Sequence, residues 1–188
     1  MLYYFLLSSK RQYKKYIQRL KNEGIMCKIN VMEMLHGFDP VFNENSKILI
    51  LGSFPSVLSR ETSFYYGNPR NRFWKLIAKI ANDVEPTTNE EKKAFLLRHN
   101  IALWDILMEC EIKGSADSNI KGYEVADLNI VLSKAKIEKI FLNGKKSYEV
   151  FCKNYPELIN MSTYLPSTSP ANVSFDEKIW LESLKGLI

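Results

Sequence analysis

Histidine and cysteine are scarce in this chain, with two of the first and three of the second among 188 residues. Cys27, Cys110 and Cys152 lie far apart, and neither His36 nor His99 completes a zinc or iron–sulfur ligand spacing, so nothing here calls for a metal. An odd number of scattered thiols fits a reducing cytoplasm better than a disulfide-stapled secreted scaffold. Long apolar runs are missing as well. The opening LYYFLL is six residues long with no basic residue before it, too short for a membrane span and unlike a secretory leader. The eight glycines form no phosphate-binding signature: GKKS at 144–147 lacks the leading glycine of a Walker loop. GSFPS at 52–56 carries its serines at the wrong positions for a nucleophile elbow.

Excess charge is absent from most of the chain. The formal net charge is +5, and residues 1–36 alone hold seven Lys/Arg against two Glu, leaving nineteen groups of each sign for the remainder. A polyanion site in that neutral body must therefore rest on backbone N–H groups and a few placed cations, with no basic face behind it. The composition divides the chain into a basic N-terminal extension, residues 1–35, and one domain over residues 36–188. The stretch KRQYKKYIQRLKNEG (10–24) reads as a helix with Tyr13, Tyr16, Ile17 and Leu20 on one face. It admits three readings: a phosphate-contacting arm, a membrane-surface helix, or an upstream extension of the reading frame.

What is present alternates. KILIL (47–51), IALWDIL (101–107), IEKIFL (137–142) and MSTYLP (161–166) are short branched or aromatic runs that read as buried strands. Helical patterns fall between them at about 71–82, from 89 onward, over VADLNIVLSKA (125–135) and over GKKSYEVFCKNY. Capping-box spacing occurs at Thr88/Glu91 and again at Ser174/Glu177, before a last helix. GSADSN (114–119) has loop composition. Strands alternating with helices predict an α/β fold: a three-layer α/β/α sandwich over a short parallel sheet of about four strands. Ligands in such folds bind beyond the carboxyl ends of the strands, where GSFPS, LNGKKS and LPSTSPAN all fall.

Two blocks stand out against that frame. FYYGNPRNRFW (64–74) holds five aromatics, two asparagines and two arginines. Phe73, Trp74, Ile77 and Ile80 recur at helical spacing and read as core, whereas Tyr65, Tyr66, Asn68, Arg70 and Asn71 have no evident packing reason. Asn71 also suits a helix N-cap. LPSTSPAN (165–172) sets three hydroxyls between prolines, a composition that holds phosphates by position or else serves as a plain linker.

In this order, GSFPS, FYYGNPRNRFW, LWDIL, GSADSNI, FLNGKKS and LPSTSPAN resemble the uracil-DNA glycosylase superfamily over about residues 36–182, and most closely its hypoxanthine-DNA glycosylase branch. The resemblance implies an enzyme that flips a deaminated base, hypoxanthine first, out of DNA and hydrolyses its N-glycosidic bond without a metal or organic cofactor. Uracil or mismatch-specific uracil excision, or a nucleic-acid-binding module without turnover, are the alternatives, and with no sign of an oligomer interface in the sequence a monomer is expected. Ser167, Thr168 and Ser169 would pinch phosphate, and Pro170, Ala171 and Asn172 lie where the family inserts a wedge into the duplex. Tyr66, with Phe54 as second choice, would stack on the flipped base; Asn143 and the backbone of Gly52, Ser53 and Phe54 would read its edge. The family's uracil- and thymine-specific members carry a catalytic asparagine where Phe54 stands. In the hypoxanthine branch that role is thought to pass to the position of Asn71. A carboxamide cannot deprotonate water at neutral pH, so Asn71 would orient a water rather than act as a strong base.

Overall fold

The computed structural model describes residues 34–112 and 120–188. In chain order these form β1 (Met34–His36), β2 (Ile48–Gly52), a short α1 (Val57–Glu61), α2 (Phe73–Ile80), α3 (Asn89–Arg98), β3 (Ile101–Asp105), β4 (Leu107–Ile112), β5 (Ile120–Val125), a single turn α4 (Asn129–Leu132), β6 (Lys139–Asn143), α5 (Lys145–Asn154), a 3₁₀ segment (Pro156–Met161), β7 (Ser162–Leu165) and α6 (Glu177–Leu184).

The central sheet is parallel, in the order β3–β2–β6–β7. Every residue of β2 and β3 is buried. Successive strand residues point to opposite faces, so burial of all of them means that both faces are covered, as the unbroken apolar runs in the sequence require. The outer edge of β3 is closed by Val41, whose N–H and C=O both pair with Leu103, at 3.0 and 2.9 Å. The chain leaves β2 for β3 on one side and later returns to β6 on the other. That reversal opens a crevice between the carboxyl ends of β2 and β6, the usual ligand position in open parallel sheets.

α2 explains the end of the aromatic block. Phe73, Trp74, Leu76, Ile77 and Ala78 are buried, and the Trp74 indole N–H donates to the Tyr65 carbonyl at 3.1 Å. α3 starts as its capping box requires, with Thr88 Oγ1 accepting from the Glu91 N–H and the Glu91 carboxylate accepting from the Thr88 N–H. α6 does not. Its N-cap is Asp176, whose carboxylate accepts from the Lys178 N–H, and Ser174 stands outside the helix.

A second sheet, antiparallel in the order β1–β4–β5, departs from the sequence reading. The run 101–107, expected as one strand, ends as β3 at Asp105 and its last residue already opens β4, and the helix expected over 125–135 shrinks to α4 because Val125 is the last residue of β5. LMECEI does alternate from Met108 onward, but the shifts in the β4–β5 pairing at Leu107/Glu109 and Cys110/Glu111 interrupt a simple two-residue period. GSADSN and the basic segment 1–33 lie outside the described residues. No helix among the described residues is long and apolar enough to cross a membrane.

Candidate functional site

The crevice is walled by loops that the two sequence blocks tie together. After β2 the chain turns along β3, with the Ile106 N–H donating to the Gly52 carbonyl (2.9 Å) and the Leu107 N–H to the Ser53 carbonyl (3.1 Å). Each trans peptide unit points its N–H opposite to its C=O, so the Ser53 and Phe54 N–H groups face the β6 side. There Ser53, Asn143, Gly144, Lys145, Lys146, Glu149 and Ser167 line a cavity of about 440 Å³. Gly52 is a glycine because a Cβ would stand 2.2 Å from Asp105 Oδ1 and 3.0 Å from the Tyr66 hydroxyl. Gly144, at φ +103°, turns the chain from β6 into α5, whose first-turn N–H groups add a positive end to the same wall.

Tyr66 sits at φ +52°, which is rare for an aromatic residue and costs on the order of 1–3 kcal/mol that the surroundings must offset. Its ring stacks on Phe73, with centroids 4.0 Å apart and 24° between planes, and the residue remains half-buried. The hydroxyl accepts from Asn143 Nδ2 at 2.9 Å. Burial first, and the Asp105 charge second, push this phenol far above its ordinary range, with the Asn143 hydrogen bond opposing them. It is a neutral O–H at any working pH. Tyr65, expected to lack a packing role, has one: it is 2% exposed and its hydroxyl donates to the Asp39 carbonyl at 2.9 Å.

Asn143 is occupied. Its Nδ2 donates to Tyr66 and to Thr168 Oγ1 (3.0 Å), and its Oδ1 accepts from the Thr168 N–H (3.0 Å). An amide with both donors and its carbonyl engaged holds the 165–172 loop to the strand end and has little left with which to read a base edge. Thr168 is fully buried, and both its hydroxyl and its N–H are bonded to Asn143. The loop is further tied by Arg72, whose backbone N–H donates to the Thr168 carbonyl (3.1 Å) and whose guanidinium donates to the Ser169 carbonyl (2.7 Å) while lying over the Phe175 ring.

Of the remaining loop residues, Ser167 lines the cavity and its hydroxyl accepts from the Ser169 N–H. Ser169 Oγ accepts from the Ala171 N–H. Asn172 turns inward, donating to the Ser167 carbonyl at 2.9 Å and accepting from the Ser174 N–H. Pro170 is half-buried and Ala171 exposed, but the large apolar side chain left in solvent is the next one, Val173, at 94% exposure. Phe54 is nearly buried, with the Arg60 guanidinium near its ring, so it packs rather than presenting a stacking face. Asn71 is half-buried and stands one residue before the N-cap of α2, which is Arg72 rather than Asn71; its Oδ1 accepts from the Phe73 N–H at 3.0 Å.

Lys145, Lys146 and Val173 went unremarked as site residues in the sequence reading. A cation directly after a strand-end Asn-Gly, and an apolar residue closing a Ser/Pro loop, are the signals that would have found them.

A doubly wound parallel sheet with a polar crevice at its switch point, rimmed by a hydroxyl-rich loop, defines an α/β protein with its candidate site at the carboxyl ends of the strands. Residues 40–184 match the model of the uracil DNA glycosylase superfamily, and the chain belongs to that family. Two curated relatives are hypoxanthine DNA glycosylases. The one from Methanosarcina acetivorans is 38% identical over 75% of this chain and 90% of its own, and the one from Methanosarcina barkeri is 37% identical over 60% and 73%. A solution NMR structure of a candidate uracil DNA glycosylase from Methanosarcina acetivorans superposes with a TM-score of 0.71 at 34% identity, covering 82% of this chain and 99% of that one.

Proposed function

We propose that this protein is a DNA glycosylase that hydrolyses the N-glycosidic bond of deaminated bases in DNA, with hypoxanthine as its principal substrate. The observation that carries this reading is the double tie from Arg72 to the carbonyls of Thr168 and Ser169. It ties the residue that follows Asn71 to the loop that would grip DNA, which supports giving the two a common task. The two relatives named hypoxanthine DNA glycosylases support the choice of base, as does Phe54 in place of the amide on which uracil chemistry depends.

In this mechanism the duplex lies across the 165–174 loop, with Ser167 and Ser169 near the backbone and Val173 entering the stack where the target base has left it. Unstacking costs a few kcal/mol, which these contacts offset. The flipped base rests against the half-exposed side of the Tyr66 ring, its other side being covered by Phe73. Asn71, fixed by the Phe73 N–H, directs a water at C1′. As the C1′–N9 bond breaks, its electron pair stays with the base, and the Ser53 and Phe54 N–H groups meet that charge. The water oxygen bonds to C1′; one of its protons remains on the new sugar hydroxyl and the other ends on the departed base. The scattered free thiols support placing this reaction in a reducing cytoplasm.

Duplexes containing one inosine, uracil, xanthine or normal base, treated with alkali after incubation, test this reading. Inosine-dependent strand cleavage is expected, and Asn71→Ala should reduce it at least 100-fold with folding retained. Cleavage by Asn71→Ala at the wild-type rate removes Asn71 from the mechanism, and no release of any deaminated base removes the activity.

A further inference from the structure

Lys146 occupies the crevice wall in a way that neither the sequence reading nor the loop architecture explains. It is the second residue of α5, half-buried, and its ammonium lies 5.4 Å from the centroid of the Tyr123 ring on β5. Lys145 beside it is different: its side chain is 83% exposed and reaches Glu149 at 3.7 Å. Among the described residues no carboxylate pairs with Lys146. A half-desolvated cation held against an aromatic face gives up rotamer freedom and part of its hydration in advance. Such a cost is useful when charge must be met at one place and at one moment.

We propose that Lys146, positioned by Tyr123, stabilises the negative charge that develops on the departing purine, and so serves as a catalytic residue of the reaction proposed above, on which this inference rests. The cavity brings Lys146 together with Ser53, whose N–H faces the β6 side, and with the first turn of α5, while the one carboxylate of the lining, Glu149, lies 3.7 Å from the Lys145 ammonium; Lys146 is the cation of that wall left to meet a ligand's charge. Hypoxanthine carries two acceptors, O6 and N7, on the edge that lysine and arginine side chains read in guanine. As the bond to N9 breaks, the electron pair delocalises over the ring toward those atoms. A fixed ammonium there interacts more strongly with the departing anion than with the neutral base in the ground state, which is the condition for lowering a barrier. The exposed Lys145 suits a different task, loose attraction to phosphate, for which a mobile cation suffices.

Single-turnover release of hypoxanthine from an inosine duplex at saturating enzyme, compared with affinity for undamaged duplex across a salt series, tests the assignment. Lys146→Gln should slow the chemical step roughly 100-fold, the low end of what loss of one preorganised donor costs, and shift affinity for undamaged DNA by less than about threefold. Lys146→Arg, which keeps the charge, should recover most of the rate. Tyr123→Phe keeps the ring and should be silent, whereas Tyr123→Leu, which leaves the lysine in place but unheld, should slow the step about 5- to 10-fold. If Lys146→Gln leaves the saturated rate unchanged, and instead weakens binding and lowers the salt slope by about one, the lysine is a phosphate contact and the inference is wrong. Equal loss in Lys146→Gln and Lys146→Arg also overturns it. Wild-type release with an unaffected Lys146→Gln removes this inference alone; absence of release by the wild type removes the glycosylase reading with it.

Discussion

Asn143→Ala separates a structural lock from a base-reading side chain. The wild-type amide makes three hydrogen bonds, of 2.9, 3.0 and 3.0 Å, in a site 7% exposed. Each contributes about 1 kcal/mol net, and truncation leaves the buried Thr168 N–H without its acceptor, a further penalty of about 1–3 kcal/mol. The hydroxyls of Tyr66 and Thr168 lose a donor but can rotate to seek other partners, which limits the damage. A loss of roughly 3–5 kcal/mol is expected, and at about 2–4 °C per kcal/mol for a domain of this size the melting temperature should fall by about 6–20 °C. The assay is thermal unfolding followed by circular dichroism, in parallel with hypoxanthine release from an inosine duplex. Thr168→Val removes one of the same bonds, so the double variant should cost less than the two single variants summed, by roughly 0.5–3 kcal/mol. A melting temperature within 2 °C of wild type, joined to complete loss of release, would refute the reasoning and return Asn143 to the ligand.

Three further outcomes are expected. Val173→Gly removes the apolar tip of the 165–174 loop; with about 1.5 kcal/mol for one buried valine, base release from duplex DNA should fall roughly tenfold, while release from a single strand, which has no stack to fill, should change less than twofold. Gly52→Ala places a methyl group 2.2 Å from Asp105 Oδ1, so the variant should be strongly destabilised and inactive; wild-type thermal stability would mean that the loop is not held as described. Glu91 is held at a pKa of about 2, below the ordinary glutamate value of 4.5, by the N–H groups of Thr87 and Thr88 and then the Thr87 hydroxyl. Its contribution is therefore complete above pH 4.5 and disappears as the pH falls through 2. The stability difference between wild type and Glu91→Gln in urea titrations should shrink over that window, and a difference that grows on acidification would contradict the cap.

The parallel sheet was legible because its strands satisfy two demands at once. Ile48–Leu51 and Ile140–Leu142 are unbroken apolar runs, which only a strand covered on both faces tolerates, and each is followed by a turn residue and a helical pattern. β4 and β5 hid for the opposite reason. Their pairing carries register shifts that interrupt a simple two-residue period, and a Glu, Lys or Gly at every second or third place resembles loop composition. The second capping box failed at Ser174 because the Asp176 carboxylate, two residues later, does the same work closer to the first buried turn of α6. Spacing alone does not choose between competing caps.

The site shows the same division between what pattern specifies and what only packing decides. Residue type marked Asn71, Asn143 and the 167–169 hydroxyls as polar groups in want of partners, but it could not say which partners were internal. If the proposed function holds, a body of neutral formal charge must keep the 165–174 loop rigid, because few charges are present to compensate for disorder. The chain meets that demand by turning polar groups inward: Asn143, Thr168, Asn172 and Arg72 are all engaged in fixing one loop. What is left to face a ligand is correspondingly sparse: the exposed valine at the tip, two serine hydroxyls, the Asn71 amide, backbone N–H groups after β2, and lysines at the start of α5. Substitutions among the inward set should therefore act on stability and activity together, and those among the outward set on activity alone. Arg72→Lys decides between these classes most sharply: lysine keeps the charge but cannot reproduce the fork over Phe175, so a fall in melting temperature with it would assign Arg72 to the loop rather than to the DNA.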